Sequence, residues 1–305
     1  EIELNQQVQN IIADIMVTYY DIIRQQNYLR IIENTLEVSK QKLDIVNVKN
    51  NVGMADAAEI LQTQSDVNSA EQLLEIQKLV IEQNKSDLLL LINAKAQNPF
   101  LVTDSIMVDK SLQLDSILTY LNRNPQYLSA DQEVFINEQL VKEVSSQRYP
   151  SVKLNAGYDF YHANSNNAPL FMNQNYGPTA GVSLQIPIFN GNIYKTQSDV
   201  AKIRVTNSKI EKENLLNSLT TQATKLFRTY SITLQQIESQ RANFEMNKKL
   251  LEVVMQKFNL GQATILDVKA AQTSYENAAY LLVNLLYSAK VAEIELKQLT
   301  YSLQY

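Results

Sequence analysis

Apolar positions along the chain change period twice, and each change marks an element boundary. From residue 2 to residue 51, Val8, Ile11, Ile15, Ile22, Leu29, Ile32, Leu36, Leu43 and Val46 recur at helical spacing, one face of an α-helix. At about 1.5 Å per residue that helix would be about 75 Å long. Beyond Gly53 the stripe becomes a heptad repeat, with Ile60, Val67, Leu74, Ile81 and Leu88 on every seventh residue. This return helix is expected from about Ala55 to Ala96, stopping before Asn98-Pro99, because the residue ahead of a proline disfavours helix. Residues 99–111 are mixed, with a strand-like Leu101, Ile106, Met107 and Val108. A short helix from about Leu112 to Arg123 ends at Asn124-Pro125, and a third runs from about Gln126 to Ser146.

The period then falls to two. Val152, Leu154, Ala156, Tyr158 and Phe160 alternate with Lys153, Asn155, Gly157, Asp159 and Tyr161. Ala180, Val182, Leu184 and Ile186 alternate likewise with Thr179, Gly181, Ser183 and Gln185. Each run spans about 9–11 residues, the length of a tilted strand crossing a bilayer. The polar loop Asn164–Pro169 carries strong turn chemistry between them. Tyr149, Tyr158, Phe160, Tyr161 and Tyr176 gather here, as in interfacial aromatic belts. One apolar and one polar or small face suits a water-lined barrel in lipid, but on the hairpin alone a soluble hairpin with one buried face is the preferred reading. Two strands cannot close a barrel, so a membrane reading requires strands from other chains or from missing residues. After Pro187-Ile188-Phe189-Asn190-Gly191 the helical period returns and runs to about Leu260. Those roughly 68 residues would form a helix about 100 Å long, which needs neighbours along its whole length. Ala263 to Leu299 forms its return helix.

The two helical regions repeat one another. A shift of 208 residues (261 − 53) lays Lys40 on Lys248, Leu43 on Leu251, Val46 on Val254, Asn51 on Asn259 and Gly53 on Gly261. The second return stripe is Val268, Tyr275, Leu282, Ala289 and Leu296, with Ala271, Ala278, Leu285, Ala292 and Leu299 three places on. Apolar a and d positions sustained over about five heptads argue for helices packed side by side. Each copy reads as a helical hairpin whose glycine supplies the left-handed residue at the tip. Two copies at so long an offset point to two tandem structural repeats, not a solenoid of short units.

Composition narrows the chemistry. Gly and Pro number six each and charged residues 19 %, which excludes disordered and collagen-like classes. There is no Cys and a single His, His162, so thiol catalysis and zinc-thiolate sites are ruled out. His162 sits at the outer end of a strand without an acidic or nucleophilic neighbour. Asp109, Asp115 and Glu143 read as solvated charges, not as paired acids, and the glycines stand alone, without a phosphate loop. No catalytic, cofactor-binding or metal-ligating set is therefore expected, and no cofactor. A net charge of −5 with no basic face makes nucleic acid an unsuitable partner. No run approaches the roughly 18 apolar residues of a membrane helix, and Glu1-Ile2-Glu3-Leu4 reads as helix, not as a signal peptide.

Strand–loop–strand, a Pro-Ile-Phe-Asn-Gly turn, a very long helix, a glycine tip and a return helix together resemble the TolC-like outer-membrane efflux proteins. Arg148-Tyr149-Pro150-Ser151-Val152 is similar to that family's helix-to-barrel junction, and Gln185-Ile186-Pro187-Ile188-Phe189-Asn190-Gly191 to its barrel-to-helix junction. Asn259-Leu260-Gly261-Gln262-Ala263-Thr264-Ile265-Leu266-Asp267-Val268 resembles its periplasmic tip, repeated more loosely from Asn51 to Ile60. The resemblance implies a mainly α chain with a β-hairpin. Long antiparallel coiled-coil helical hairpins would form an α-barrel, joined to transmembrane β-barrel strands in a homotrimer. By the 208-residue offset Glu1 corresponds to Lys209, about 18 positions past Gly191. The chain is accordingly expected to be a fragment, beginning inside the first long helix and lacking the preceding helix and first strand pair.

The expected organisation is a first periplasmic helical hairpin at 1–97, an equatorial mixed segment at 98–125 and a helix leading to the barrel at 126–148. An outer-membrane β-hairpin with an extracellular loop at 149–190 and a second periplasmic hairpin at 191–305 complete it. The implied function is an outer-membrane channel of a tripartite efflux pump or type I secretion system, a passive exit duct and not an enzyme. Its partners would be a periplasmic adaptor (membrane fusion protein), an inner-membrane pump and outer-membrane lipid, in a Gram-negative cell envelope. Val52, Gly53, Met54, Leu260, Gly261 and Gln262 are the expected adaptor-docking residues at the tips. Asp267 and Glu59 would form rings of like charge at a tunnel constriction; Asp267 is equally readable as a helix-start acid favoured by the macrodipole, and Glu59 reads rather as such an acid. Gln62 and Ala270 stand where the family has a further acid, Phe258 replaces a frequent Tyr, and Ala263 offers no polar group. Tip closure is therefore expected from apolar packing. The rival reading is a soluble periplasmic coiled-coil adaptor or scaffold, whose β-hairpin would pack on protein.

Overall fold

A computed structural model of the chain describes residues 2–94, 100, 102–164 and 172–303. Helices α1 (Ile2–Asn51) and α2 (Ala57–Leu91) precede a short α3 (Leu114–Tyr120) that runs into a 3₁₀ turn at Leu121–Arg123. Then come α4 (Pro125–Ser146), strands β1 (Ser151–Asn164) and β2 (Met172–Gln185), and helices α5 (Ile193–Asn259) and α6 (Ile265–Leu299). The chain is mostly helical with one two-stranded antiparallel sheet. It divides into two compact units, residues 1–128 with 216–305, and residues 129–215.

Within the first unit, α1 packs along both α2 and α6. The α6 stripe supplies the core, with Val268, Tyr275, Ala278, Ala289, Ala292 and Leu296 all buried. In α2 the same heptad positions bury Val67, Ala70, Ile81 and Leu88, while Ile60 and Leu74 are partly covered. Small residues in α6 let neighbouring backbones approach closely, and that explains why its stripe is the more deeply covered of the two.

Local departures from the sequence pattern have local causes. Helix α2 ends at Leu91, because Asn93 takes a left-handed φ of 53° and Ala94 donates its N–H back to Leu89 O at 2.9 Å. The Asn98-Pro99 stop proposed for it, and the boundary at 97, lie outside the described residues. Residues 102–109 form no strand: Val102 is buried against Ile22 and Ile23 of α1 with Ile106 beside them, while Met107 stands exposed. Leu101 also lies outside the described residues. The Asn124-Pro125 pair starts a helix as well as ending one. Asn124 Oδ1 accepts the Gln126 N–H at 2.9 Å, and Pro125 occupies the first helical position, where no N–H is needed.

In the second unit the β-strands are 14 residues each, longer than the alternation alone indicated. The alternation breaks at Gly177-Pro178, yet the ladder continues through Tyr158↔Pro178 to Asn164↔Met172. Residues 165–169 of the connecting loop fall outside the described residues. Among the described residues, no helix is long and apolar enough to cross a membrane.

Candidate functional site

Both helix pairs turn on a glycine with positive φ, 73° at Gly53 and 74° at Gly261. The closures match bond for bond. Met54 donates its N–H to Lys49 O and Gln262 to Lys257 O, each at 2.8 Å. Gly53 reaches Asn50 O at 2.9 Å and Gly261 reaches Phe258 O at 3.1 Å. These paired bonds satisfy carbonyls that a helix C-terminus leaves open, and the left-handed residue between them favours glycine.

The return helices start alike too. Asp56 caps α2 by accepting the Glu59 N–H at 2.8 Å. Thr264 caps α6: its Oγ1 accepts the Asp267 N–H at 3.2 Å, while Asp267 Oδ2 accepts the Thr264 N–H and O–H, both at 2.8 Å. That reciprocal pair is a capping box. The bond from the Thr264 backbone N–H, then that from its hydroxyl, holds the Asp267 carboxyl below its ordinary pKa. Asp267 is exposed and Glu59 partly buried.

Beneath the turns lies one apolar cluster drawn from both helical pairs. Val46, Phe258 and Val268 are buried, and Ala55, Ile60, Ala263 and Ile265 pack against them. Lys49 ties the two turns together, donating to Phe258 O at 2.9 Å with its ammonium 4.0 Å from the centre of the Phe258 ring. Outward of the cluster, Val52, Met54 and Leu260 are each at least two-thirds exposed, as is Leu266. The structure thus brings all six expected docking residues to the two turns, with the large apolar ones facing out.

Two ionic clusters escaped the sequence reading. Lys42 is fully buried among the helices and pairs with Asp66, which also accepts from Lys269 at 3.2 Å and from Gln62 at 3.1 Å. Burial opposes ionisation of Asp66, but the Lys42 ammonium and the other donors outweigh it and hold its pKa below the usual value. A signal was present: Ser39, Lys42 and Val46 keep heptad spacing, so a lysine occupies a core position of α1. The second cluster corrects the reading of Asp109 as a solvated charge. Buried Glu293 accepts from Lys290 at 2.9 Å, from Lys297 at 2.8 Å and from the Asp109 N–H at 2.9 Å. Asp109 Oδ1 in turn takes the Ser111 hydroxyl at 2.6 Å and its N–H at 3.0 Å, and these bonds lower its pKa to about 2. Tyr230 donates to the Asp109 carbonyl. Together these contacts clasp the irregular segment onto α5 and α6.

In the β-hairpin, register sets the faces. Val152↔Leu184, Leu154↔Val182, Ala156↔Ala180, Tyr158↔Pro178 and Phe160↔Tyr176 share one face. Lys153↔Ser183, Asn155↔Gly181, Gly157↔Thr179 and Asp159↔Gly177 share the other. Paired residues lie on the same side of a ladder, so the apolar side is continuous across both strands. Every one of its large side chains is more than half exposed, from 62 % at Leu184 to 77 % at Leu154. His162 lies opposite Gln174, with no acid or nucleophile beside it in the register.

A family model described as outer membrane efflux protein matches residues 117–300. Among solved structures, the outer membrane protein VceC of Vibrio cholerae superposes with a TM-score of 0.76 at 18 % identity, over 98 % of this chain and 72 % of its own. CusC gives 0.78 at 19 % identity over 98 % and 70 %, and the CmeC outer membrane channel of Campylobacter jejuni 0.74 at 15 % over 99 % and 64 %. At such identities these likenesses establish the fold. No curated protein matches the sequence.

Proposed function

Because the chain belongs to the outer membrane efflux protein family, we propose that it is a subunit of an outer-membrane exit duct. Several copies would pool β-strands into one closed barrel in the outer membrane of a Gram-negative cell, and pack their helical hairpins into a periplasmic tunnel. The observation that carries this reading is the continuous apolar face of the β-hairpin, uncovered by any described residue. Each strand also has one unpaired edge among the described residues. Backbone groups in lipid must be satisfied internally, so such edges require further strands before the hairpin can enter a bilayer. A homotrimer is the assembly we propose. The near-identical geometry of the turns at Gly53 and Gly261 supports two tandem repeats as its plan.

In that assembly transport is passive, and an inner-membrane pump supplies energy through a periplasmic adaptor. The exposed apolar residues Val52, Met54 and Leu260, with Gly53, Gly261 and Gln262, are the proposed adaptor surface. Asp267, exposed and held ionised by Thr264, is the proposed constriction charge, with Glu59 as its counterpart. Close carboxylates in a narrow passage attract cations. The soluble-scaffold reading fares worse, since it wants the apolar face of the hairpin packed on protein.

Full-length protein extracted from membranes in detergent tests the proposal through its mass and its single-channel conductance in planar bilayers. Three copies and discrete conductance steps are expected; a monomer that stays soluble without detergent overturns it.

A further inference from the structure

Where β2 gives way to α5, the second unit forms an open cavity of about 450 Å³. Its wall carries three basic side chains, Arg148, Lys195 and Lys202, against one acid, Asp199. That local excess of positive charge stands out in a chain whose net charge is −5. Lys202 is matched by Asp199 at 3.2 Å. Arg148 stacks over Tyr149 at 5.1 Å and bonds its hydroxyl at 3.1 Å, contacts that leave its charge uncompensated. Lys195 is exposed, and no carboxylate among the described residues pairs with it. Asn190 adds a donor in need of a partner: its amide nitrogen is buried and has no hydrogen-bond acceptor among the described residues.

The same wall carries Ile188 and Phe189, 95 % and 88 % exposed. Two large apolar side chains standing free beside two unmatched cations fit an amphiphile, with an anionic head at Arg148 and Lys195 and acyl chains along Ile188 and Phe189. Immediately before them in sequence lies the apolar strand face ending at Leu184 and Ile186, so the acyl chains have a continuous apolar path. Cationic side chains beside such a face attract anionic lipid headgroups. Resting on the reading of the β-hairpin as barrel strands, we propose that this cavity binds the phosphate headgroup of an anionic phospholipid at the membrane–water boundary.

Native mass spectrometry of the full-length complex, from detergent holding equal phosphatidylglycerol and phosphatidylcholine, tests it. Retained lipid should favour phosphatidylglycerol, and Arg148→Ala with Lys195→Ala should reduce that preference roughly fivefold per removed charge. Lys142→Ala, a charge lost from α4 outside the cavity, should leave it unchanged. Lys195→Gln alone, the mildest change, should give the intermediate value and serves if the double variant fails to assemble. Equal retention of both lipids, an undiminished preference in the variants, or displacement of the lipid by inorganic phosphate at equal concentration would each overturn the proposal. Conductance of the same preparations separates this from the duct itself: channels without lipid preference sink the lipid site alone, and absence of channels sinks the duct.

Discussion

Leu296 in α6 and Leu154 in β1 both belong to unbroken apolar stripes, yet the first is fully buried and the second is 77 % exposed. The helical stripe is covered by this chain's own helices; the strand stripe is covered by none of the described residues. A monomer exposes isolated apolar residues freely, but a continuous apolar sheet face is a surface awaiting another phase or another chain. The contrast separates what holds one chain together from what the chain offers outward, and substitutions in the two regions should therefore fail in different ways.

The largest effect is expected in the helical region at Asp66. Asp66→Ala removes the partner of a lysine with no exposed surface, and an unpaired buried charge of this kind costs about 3–5 kcal/mol. Urea unfolding of the detergent-solubilised protein should show it, and a loss under about 1 kcal/mol would mean that Lys42 finds water or another acceptor. Leu154→Arg should do the reverse. Little stability is lost in the helical region, while a charge on a lipid-facing strand costs about 2–4 kcal/mol at mid-bilayer. Its readout is the fraction of protein recovered with membranes, and undiminished recovery would place that face away from lipid.

A smaller effect sharpens the comparison through pH. Burial, then the charges of Glu293 and Asp109, pushes the Tyr230 hydroxyl up to about 12, and burial first, then Glu276 and Tyr28, does the same for Tyr280. A phenol of ordinary pKa, about 10, loses its proton first in the unfolded chain. The stability these groups contribute is thus complete below about pH 10 and lost as pH rises through 12. Tyr230→Phe should cost about 1 kcal/mol at pH 8 for its lost bond to Asp109, and should flatten the decline between pH 10 and 12. An identical slope in both proteins would remove Tyr230 from the explanation. The smallest structural effect is expected at Asp267→Ala, which breaks one half of a capping box on an exposed turn. Its melting temperature should barely move, whereas block of single-channel current by divalent cations should weaken; an unchanged block would remove Asp267 as the constriction charge.

How much of this was legible follows from which interactions are periodic. The long helices, the glycine turns and the alternation of the strands are written as spacing, and the boundaries of α1 and α5 emerge within a residue or two. Ends governed by single side chains were less visible: α2 stops at a left-handed Asn93, a residue type that sequence alone leaves free to continue a helix. The irregular segment at 102–109 has strand-forming residues but no partner strand among the described residues, so packing of Val102 and Ile106 beside α1 decides its conformation. Long-range polar clusters were the least legible, because Asp109, Tyr230 and Glu293 meet only once the helices are assembled. The six tip residues were found because the glycine repeat marks them. The cavity beside Phe189 was not, since its basic residues come from both flanks of the hairpin.

The absence of cysteine from these 305 residues makes the central claim directly measurable, because single cysteines can be placed along β1 with no competing thiol in this part of the protein. In full-length protein in membranes, cysteines at positions 152, 154, 156, 158 and 160 should be quenched by spin-labelled lipid and resist a membrane-impermeant maleimide. Those at 153, 155, 157 and 159 should react with the maleimide through a water-filled lumen. The account predicts this two-residue alternation along the strand, in phase with the register. Uniform reactivity at every position, or protection of the apolar face without contact to lipid, would contradict it.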